Sequence, residues 1–196
     1  YAWEWDQIFE FPLVPPGLKI NLDNPAEVTD GIKRVAKFFG SALVGVCKLD
    51  RRWVYSAAFP FRDQKPTPSE LGDQYQYAIA IAIEMNYQAI RCSPTSPSSA
   101  ATGLGYSKMA FIAGLLAHYI RGLGFKAIAC GNDTACSIPI AIDAGLGELA
   151  RNGLLITPAF GPRIRLAKVL TDMPLIADRP IEFGVWDFCL KCEKCA

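Results

Sequence analysis

Cysteine is the residue type in this chain most plainly spaced for chemistry. Cys189, Cys192 and Cys195 repeat at a three-residue interval in DFCLKCEKCA, the end of the sequence. Thiolates are soft ligands that suit zinc and iron–sulfur clusters. C-x2-C-x2-C is also the opening of the ferredoxin run C-x2-C-x2-C-x3-C-P. The spacing therefore points to an iron–sulfur cluster, with short turns bringing three sulfurs to three irons of one cubane. A zinc knuckle would need a fourth ligand nearby; a coincidental cysteine-rich end is the plainest alternative. The motif calls for one more cysteine, yet Ala196 is the last residue. The expectation is a truncated chain that stops inside its own cofactor motif. Seven cysteines is an odd number, so complete internal disulfide pairing is excluded. Cys47, Cys92, Cys130 and Cys136 read as ordinary free thiols.

A cluster moves electrons, so the upstream residues should hold an acceptor: flavin, haem or corrinoid. No GxGxxG fingerprint is present, and the glycines of GLGELARNG read as a helix end. The single histidine, His118, sits in an apolar stretch and reads as a packed imidazole. With one histidine, neither a multi-histidine metal site nor a histidine relay can be built. Acid chemistry must come from elsewhere. Tyr106, after the Gly-rich segment and at an expected helix start, could donate a phenolic proton if a cation stabilised the phenolate. Arg163 and Arg165 in GPRIR are candidate cations, and on a strand they would project to the same side. Ordinary core-edge packing is the competing reading for each.

The elements that must position these groups follow from pattern. Residues 1–24 are rich in aromatics and prolines and read as an arm; Trp3, Trp5, Phe9 and Phe11, with Trp53 and Tyr55, could wall an apolar pocket or simply pack. Helical spacing runs from Ala26 to Phe39 and ends at Gly40. LVGVCKL reads as a buried strand, and Tyr75 to Met85 as a helix or a strand. Ser93 to Gly105 (SPTSPSSAATGLG) reads as a flexible loop, followed by an apolar helix over Tyr106 to Gly122. Phe125 to Cys130 reads as a strand, Ser137 to Ala144 as a helix, and GLLIT with IRLAKVLT as a hairpin around PAFGPR. The fold class expected is α/β, layered as α+β.

Totals set the outer bounds. The 196 residues are 51% hydrophobic and 20% charged, enough for one folded domain with a sizeable core. A net charge of +1 gives no reason to expect a nucleic-acid partner. No single apolar run, MAFIAGLLAHYI included, approaches the ~20 residues that span a bilayer. The chain opens on Tyr1 without an initiator Met, which reads as a processed or trimmed start.

Taken in order, GYS, GND, AGLGE, LITP, GPR-x-R and KV-x-TD run into CLKCEKC. Together with VAKFFGSALVGVCKLDRRWVY upstream, this series closely resembles the reductive dehalogenases of organohalide respiration. The resemblance implies a nitroreductase-like cobalamin-binding domain over 25–185, with the start of a ferredoxin-like iron–sulfur segment over 186–196. It implies base-off cobalamin and two 4Fe–4S clusters that pass electrons to cobalt, with halide removed from a small organohalide. The family's acid tyrosine matches Tyr106, its assisting asparagine Asn132 and its arginine Arg165, which leaves Arg163 the lesser member of the pair. Cys189, Cys192 and Cys195 are the implied metal ligands. Family members also imply an electron donor, a small membrane-anchor protein and a place at the outer face of the bacterial cytoplasmic membrane. A fourth cysteine, a second ferredoxin motif and a pocket-closing segment would follow in the family and do not occur in this sequence.

Three other readings compete. An epoxyqueuosine reductase-like enzyme also pairs cobalamin with clusters but acts on transfer RNA. A non-catalytic electron-transfer module would leave GYS, GND and GPR-x-R without a purpose. A flavin nitroreductase relative would have no use for the cysteine tail.

Overall fold

The structure is a computed structural model that describes residues 23–58, 65, 67–69 and 71–195. The proposed arm aromatics Trp3, Trp5, Phe9 and Phe11 lie outside the described residues. At the centre is a four-stranded antiparallel sheet of β1 (Leu43–Lys48), β4 (Tyr77–Glu84), β8 (Ile164–Thr171) and β5 (Ala127–Cys130), in the order β1-β4-β8-β5. Two short pairs stand apart from it: β2 (Ala57–Ala58) with β3 (Thr67–Pro68), and β6 (Glu148–Leu149) with β7 (Leu155–Ile156).

The alternation in YAIAIAIE settles Tyr75 to Met85 as strand. Successive side chains on a strand point to opposite faces. Ile79, Ile81 and Ile83 enter one core with α1 (Pro25–Phe38) and α3 (Ser96–Gly122), the short α2 (Tyr87–Arg91) lying between these helices in sequence. Ala78, Ala80 and Ala82 face the other core, with α4 (Ser137–Asp143). The alanine face lets α4 approach closely. Gly45 of β1 belongs to that approach, because a Cβ there would lie 2.1 Å from the carbonyl oxygen of Ala144. The result is three layers, α1 and α3 on one face and α4 on the other, which is the α+β layering expected.

Asp178 covers the exposed edge of β1. Its carboxylate accepts from the backbone of Val46 at 2.8 Å and from Lys33 Nζ at 2.6 Å. Its own backbone N–H donates to Val46 at 2.7 Å. An edge strand treated in this way offers fewer free groups to another chain.

Three expectations need correction. Ser93 to Gly105 is not a flexible loop: α3 begins at Ser96, so Tyr106 lies inside the helix and not at its start. The helix start is held by polar atoms. Ser98 Oγ accepts from Thr95 N–H at 3.2 Å and donates to the Thr95 carbonyl at 2.8 Å, and a proline stands in the first turn, where its missing N–H costs nothing. With that extension, α3 becomes long and apolar enough by length and composition to cross a membrane, although Met109, Ile112, Ala113, Leu116 and Ile120 are buried in the core. GLLIT and IRLAKVLT are not a hairpin either. The chain doubles back at Thr157–Gly161, but β7 pairs with β6 while β8 enters the central sheet between β4 and β5. The glycines of GLGELARNG accordingly lead into a small hairpin, not only a helix end.

Candidate functional site

β8 is twice as long as β5, and this mismatch builds the site. The β5 ladder covers Lys168 to Thr171 and stops at the Cys130–Lys168 pair. Ile164 to Ala167 therefore has no partner strand on that side, because the chain turns away at Gly131. A cavity of about 160 Å3 lies at this end, lined by Ile164, Arg165 and Leu166 from β8, Tyr106 from α3, Asn132 from the turn and Ser137 from α4, among others. Leu154 and Leu155 add an apolar wall.

Tyr106, Asn132 and Arg165 thus come to one cavity from three distant parts of the sequence. Arg165 Cζ lies 4.6 Å from the centroid of the Tyr106 ring, a cation–π geometry. The Nε of Arg165 is buried with no hydrogen-bond partner among the described residues. It is a donor that an electronegative group of a bound molecule would satisfy. Among the described residues no carboxylate lines the cavity, and its polar side chains are a phenol, an amide, a hydroxyl and a guanidinium.

The turn that carries Asn132 is tightly braced. Asp133 Oδ1 accepts from Gly131 N–H at 2.6 Å, and Thr134 takes a left-handed φ of 64°. The carbonyl of Thr134 accepts from Tyr55 N–H at 2.9 Å, and Cys136 N–H donates to the Trp53 carbonyl at 2.8 Å. Trp53 and Tyr55 therefore support the turn through their backbone and do not line the cavity. The Trp53 indole donates to Asp143 at 3.0 Å, so packing is what it does here.

Arg163 does not join Arg165. It precedes the first residue of β8, and its guanidinium donates to Glu84 at 2.9 Å and to the Met85 carbonyl at 2.8 Å. It also sits 5.1 Å from the Tyr87 ring centroid. The shared projection expected for the two arginines is absent because the strand starts between them.

The cysteines form a second centre. α5 (Val185–Cys192) carries Cys189 and Cys192 three residues apart on a helix, not on the short turns expected, and Cys195 follows a left-handed Glu193 with φ 52°. All three line a cavity of about 430 Å3, with Ala150, Ile156, Phe183 and Phe188 as apolar walls. Among the described residues no three His, Cys, Asp or Glu converge on one point as ligands of a single ion.

Sequence reasoning missed Glu148, which docks α5. Its carboxylate accepts from the backbone N–H groups of Phe183, Gly184 at 3.3 Å and Val185 at 2.7 Å, at a helix start whose cap residue Gly184 has no side chain to do so. Desolvation works to raise its pKa, but these N–H groups outweigh it and hold the carboxyl below the usual glutamate range. The β6–β7 hairpin then separates the two centres, with Leu155 lining one cavity and Ile156 the other.

No family model matches the chain. A tetrachloroethene reductive dehalogenase of Desulfitobacterium hafniense is 38% identical over 229 residues, covering 99% of this chain and 41% of that protein. The chain therefore spans less than half the length of the tetrachloroethene reductive dehalogenases it matches. A solved reductive dehalogenase, described with a mechanism for B12-dependent dehalogenation, superposes with a TM-score of 0.82 at 30% identity over 93% of this chain and 26% of its own. An epoxyqueuosine reductase solved with a transfer-RNA stem loop reaches a TM-score of 0.60 at 21% identity, covering 86% of this chain and 51% of that one; that likeness is one of fold. In sequence over nearly all its length, and in fold, the chain belongs to the reductive dehalogenases.

Proposed function

We propose that this chain is the cobalamin-binding core of an oxidoreductase that replaces the halogen of a small organohalide with hydrogen. The supporting observation is the convergence of Tyr106, Asn132 and Arg165 on one cavity. The reaction consumes two electrons and one proton and releases halide.

A corrin macrocycle is far larger than 160 Å3, so the cavity residues fit the reacting end of a bound cofactor and not the whole of it. Cobalamin, when bound, supplies the electrons that break the carbon–halogen bond. Tyr106 Oη donates the proton that ends on carbon. The Arg165 guanidinium, stacked on the ring, stabilises the phenolate left behind. The Asn132 amide orients the hydroxyl or the substrate. The apolar wall of Leu154, Leu155 and Ile138 suits a chlorinated or brominated compound without hydrogen-bonding groups, which matches the substrate named for the tetrachloroethene relatives.

Cys189, Cys192 and Cys195 are the residues that would hold a 4Fe–4S cluster delivering electrons, one of two such clusters in the whole protein. An electron donor, a small membrane-anchor protein and a place at the outer face of the cytoplasmic membrane complete this reading, on the strength of the family. The epoxyqueuosine reductase reading is the weaker second, resting chiefly on the shared fold.

The test is anaerobic reconstitution with cobalamin, removal of free ligand and an absorption spectrum. A retained base-off corrinoid spectrum is expected. Loss of the corrinoid with retention of a flavin would overturn the proposal.

A further inference from the structure

Among the described residues, Lys168 is the largest side chain that is essentially inaccessible, at 0% exposure in the middle of β8. It shares the α4 face of the sheet with Leu170, and its neighbours across the two ladders are Ala80 and Cys130, both small. That small-residue groove leaves room for the long stem. Stability does not explain a lysine here. Burying an ammonium costs several kcal/mol before compensation, and an apolar residue of similar volume is often the more stable choice. The site is also electrostatically adverse, since the ammonium meets Ser137 at the first turn of α4, where helix dipoles favour negative charge.

What the ammonium touches is specific. Lys168 Nζ donates to the carbonyl of Gly131 and, at 3.1 Å, to Ser137 Oγ. Ser137 Oγ in turn donates to the same Gly131 carbonyl at 3.2 Å. Gly131 and Ser137 are the two ends of the turn that bears Asn132, and Asn132 and Ser137 both line the candidate cavity. The cation thus ties the two ends of that turn together from beneath.

We propose that Lys168 is the positioning residue of the candidate site, clamping Gly131 and Ser137 so that Asn132 is held at the cavity wall with a fixed positive charge behind it. The inference deepens the proposed function and rests on it only in taking Asn132 as a site residue. The charged and titratable groups that face the ammonium are Cys130 from β5 and Asp133 and Cys136 from the turn. Burial lowers the Lys168 pKa, and these three groups partly offset the shift. Tyr55 stands behind Cys136 as its hydrogen-bond partner.

The test uses the chain without corrinoid or substrate, so it is separate from cobalamin retention. Carbon-detected NMR of the labelled, reduced protein follows the Gly131 carbonyl and the Asn132 side-chain carbonyl between about pH 6 and pH 11. Both signals should titrate with one midpoint below the ~10.4 of a free lysine. Lys168→Met should abolish that titration, displace the Asn132 signal and speed amide exchange across 131–137 by about tenfold or more while β4 stays protected. Lys168→Gln keeps a donor for the Gly131 carbonyl without charge, and it should also lose the titration if the methionine variant fails to fold. Lys168→Arg should keep the Asn132 signal near its native position with no midpoint in the range. A titration that persists in the uncharged variants would not arise from Lys168 and would overturn the proposal. So would an Asn132 signal unmoved by loss of the charge.

Discussion

The guanidinium of Arg165 lies over the ring of Tyr106, 4.6 Å from its centroid, and Gly105 makes the contact possible. A Cβ at Gly105 would stand 2.9 Å from Arg165 Cγ and 3.4 Å from Met85 Cγ. The missing side chain is what lets the β8 arginine run close beneath α3 and reach the ring of the next residue. A cation held over an aromatic face is worth roughly 0.5–2 kcal/mol.

Gly105→Ala should therefore separate stability from activity. Alanine is favoured over glycine inside a helix by about 1 kcal/mol, which offsets part of the ~1–3 kcal/mol that crowding a packed site costs, so the melting temperature should fall only slightly. The added methyl displaces Arg165 from the ring, and dehalogenation by the cobalamin-loaded enzyme should fall by an order of magnitude or more. A melting curve beside a halide-release assay checks this. Equal activity in the variant would mean that the stacking is incidental.

Tyr106→Phe tests the proposed proton donor. Tyr106 is 40% exposed, so removing its hydroxyl should change stability by no more than about 0.5 kcal/mol. Loss of a general acid typically costs 10²- to 10⁴-fold in rate. The expected outcome is a fall of that size in halide release with substrate affinity little changed. A rate within threefold of wild type would assign the proton to another donor.

Glu148 carries a prediction at acid pH. Its folded pKa is depressed, so its contribution is fully present above the ordinary glutamate value of about 4.3 and is lost as pH falls through the lower folded value. α5 should remain docked down to the ordinary glutamate value and come away from the hairpin only at pH below it. Glu148→Ala should release it at neutral pH. The amide proton signals of Gly184 and Val185, followed against pH in both proteins, read the docking directly. Signals in Glu148→Ala that match the wild type would show that packing alone holds the cysteine helix.

The residues that share the candidate cavity were more legible in the sequence than the elements that carry them, for reasons that differ residue by residue. Tyr106 and the Arg163–Arg165 pair follow from residue chemistry, whereas Asn132 and the choice of Arg165 over Arg163 come from the resemblance, because nothing in GPRIR says that β8 starts between the two arginines. The first turns of α3 were hidden because SPTSPSSAATGLG has no apolar period, its helix start being held by the hydroxyl of Ser98 and a first-turn proline. YAIAIAIE was ambiguous because both faces are apolar and alanine favours helices; only the two cores distinguish the isoleucine face from the alanine face. Glu148 and Lys168 left faint signals, a carboxylate after the second glycine of AGLGE and one charge inside IRLAKVLT. Neither acquires meaning until the sheet brings residues 131, 137 and 183–185 to them.

Cys47 gives the complementary prediction at alkaline pH. It faces α4 at 3% exposure, and burial, with Asp143 and Asp178 nearby, pushes its thiol from near 9 up to about 12. A raised folded pKa means stability that is whole below the unfolded value and is lost as pH rises toward the folded one. Each unit above the unfolded value removes about 1.4 kcal/mol, because the unfolded chain gives up its proton first. Cys47 should thus cost the protein about 1.4 kcal/mol between pH 8 and pH 10. Cys47→Ala should lose some packing at pH 7 yet show a flatter decline over the same range. Urea denaturation of both proteins at the two pH values, under reductant, measures the difference. Parallel declines would show that the thiolate is accommodated in the folded state, by water reaching it beside Asp143 and Asp178.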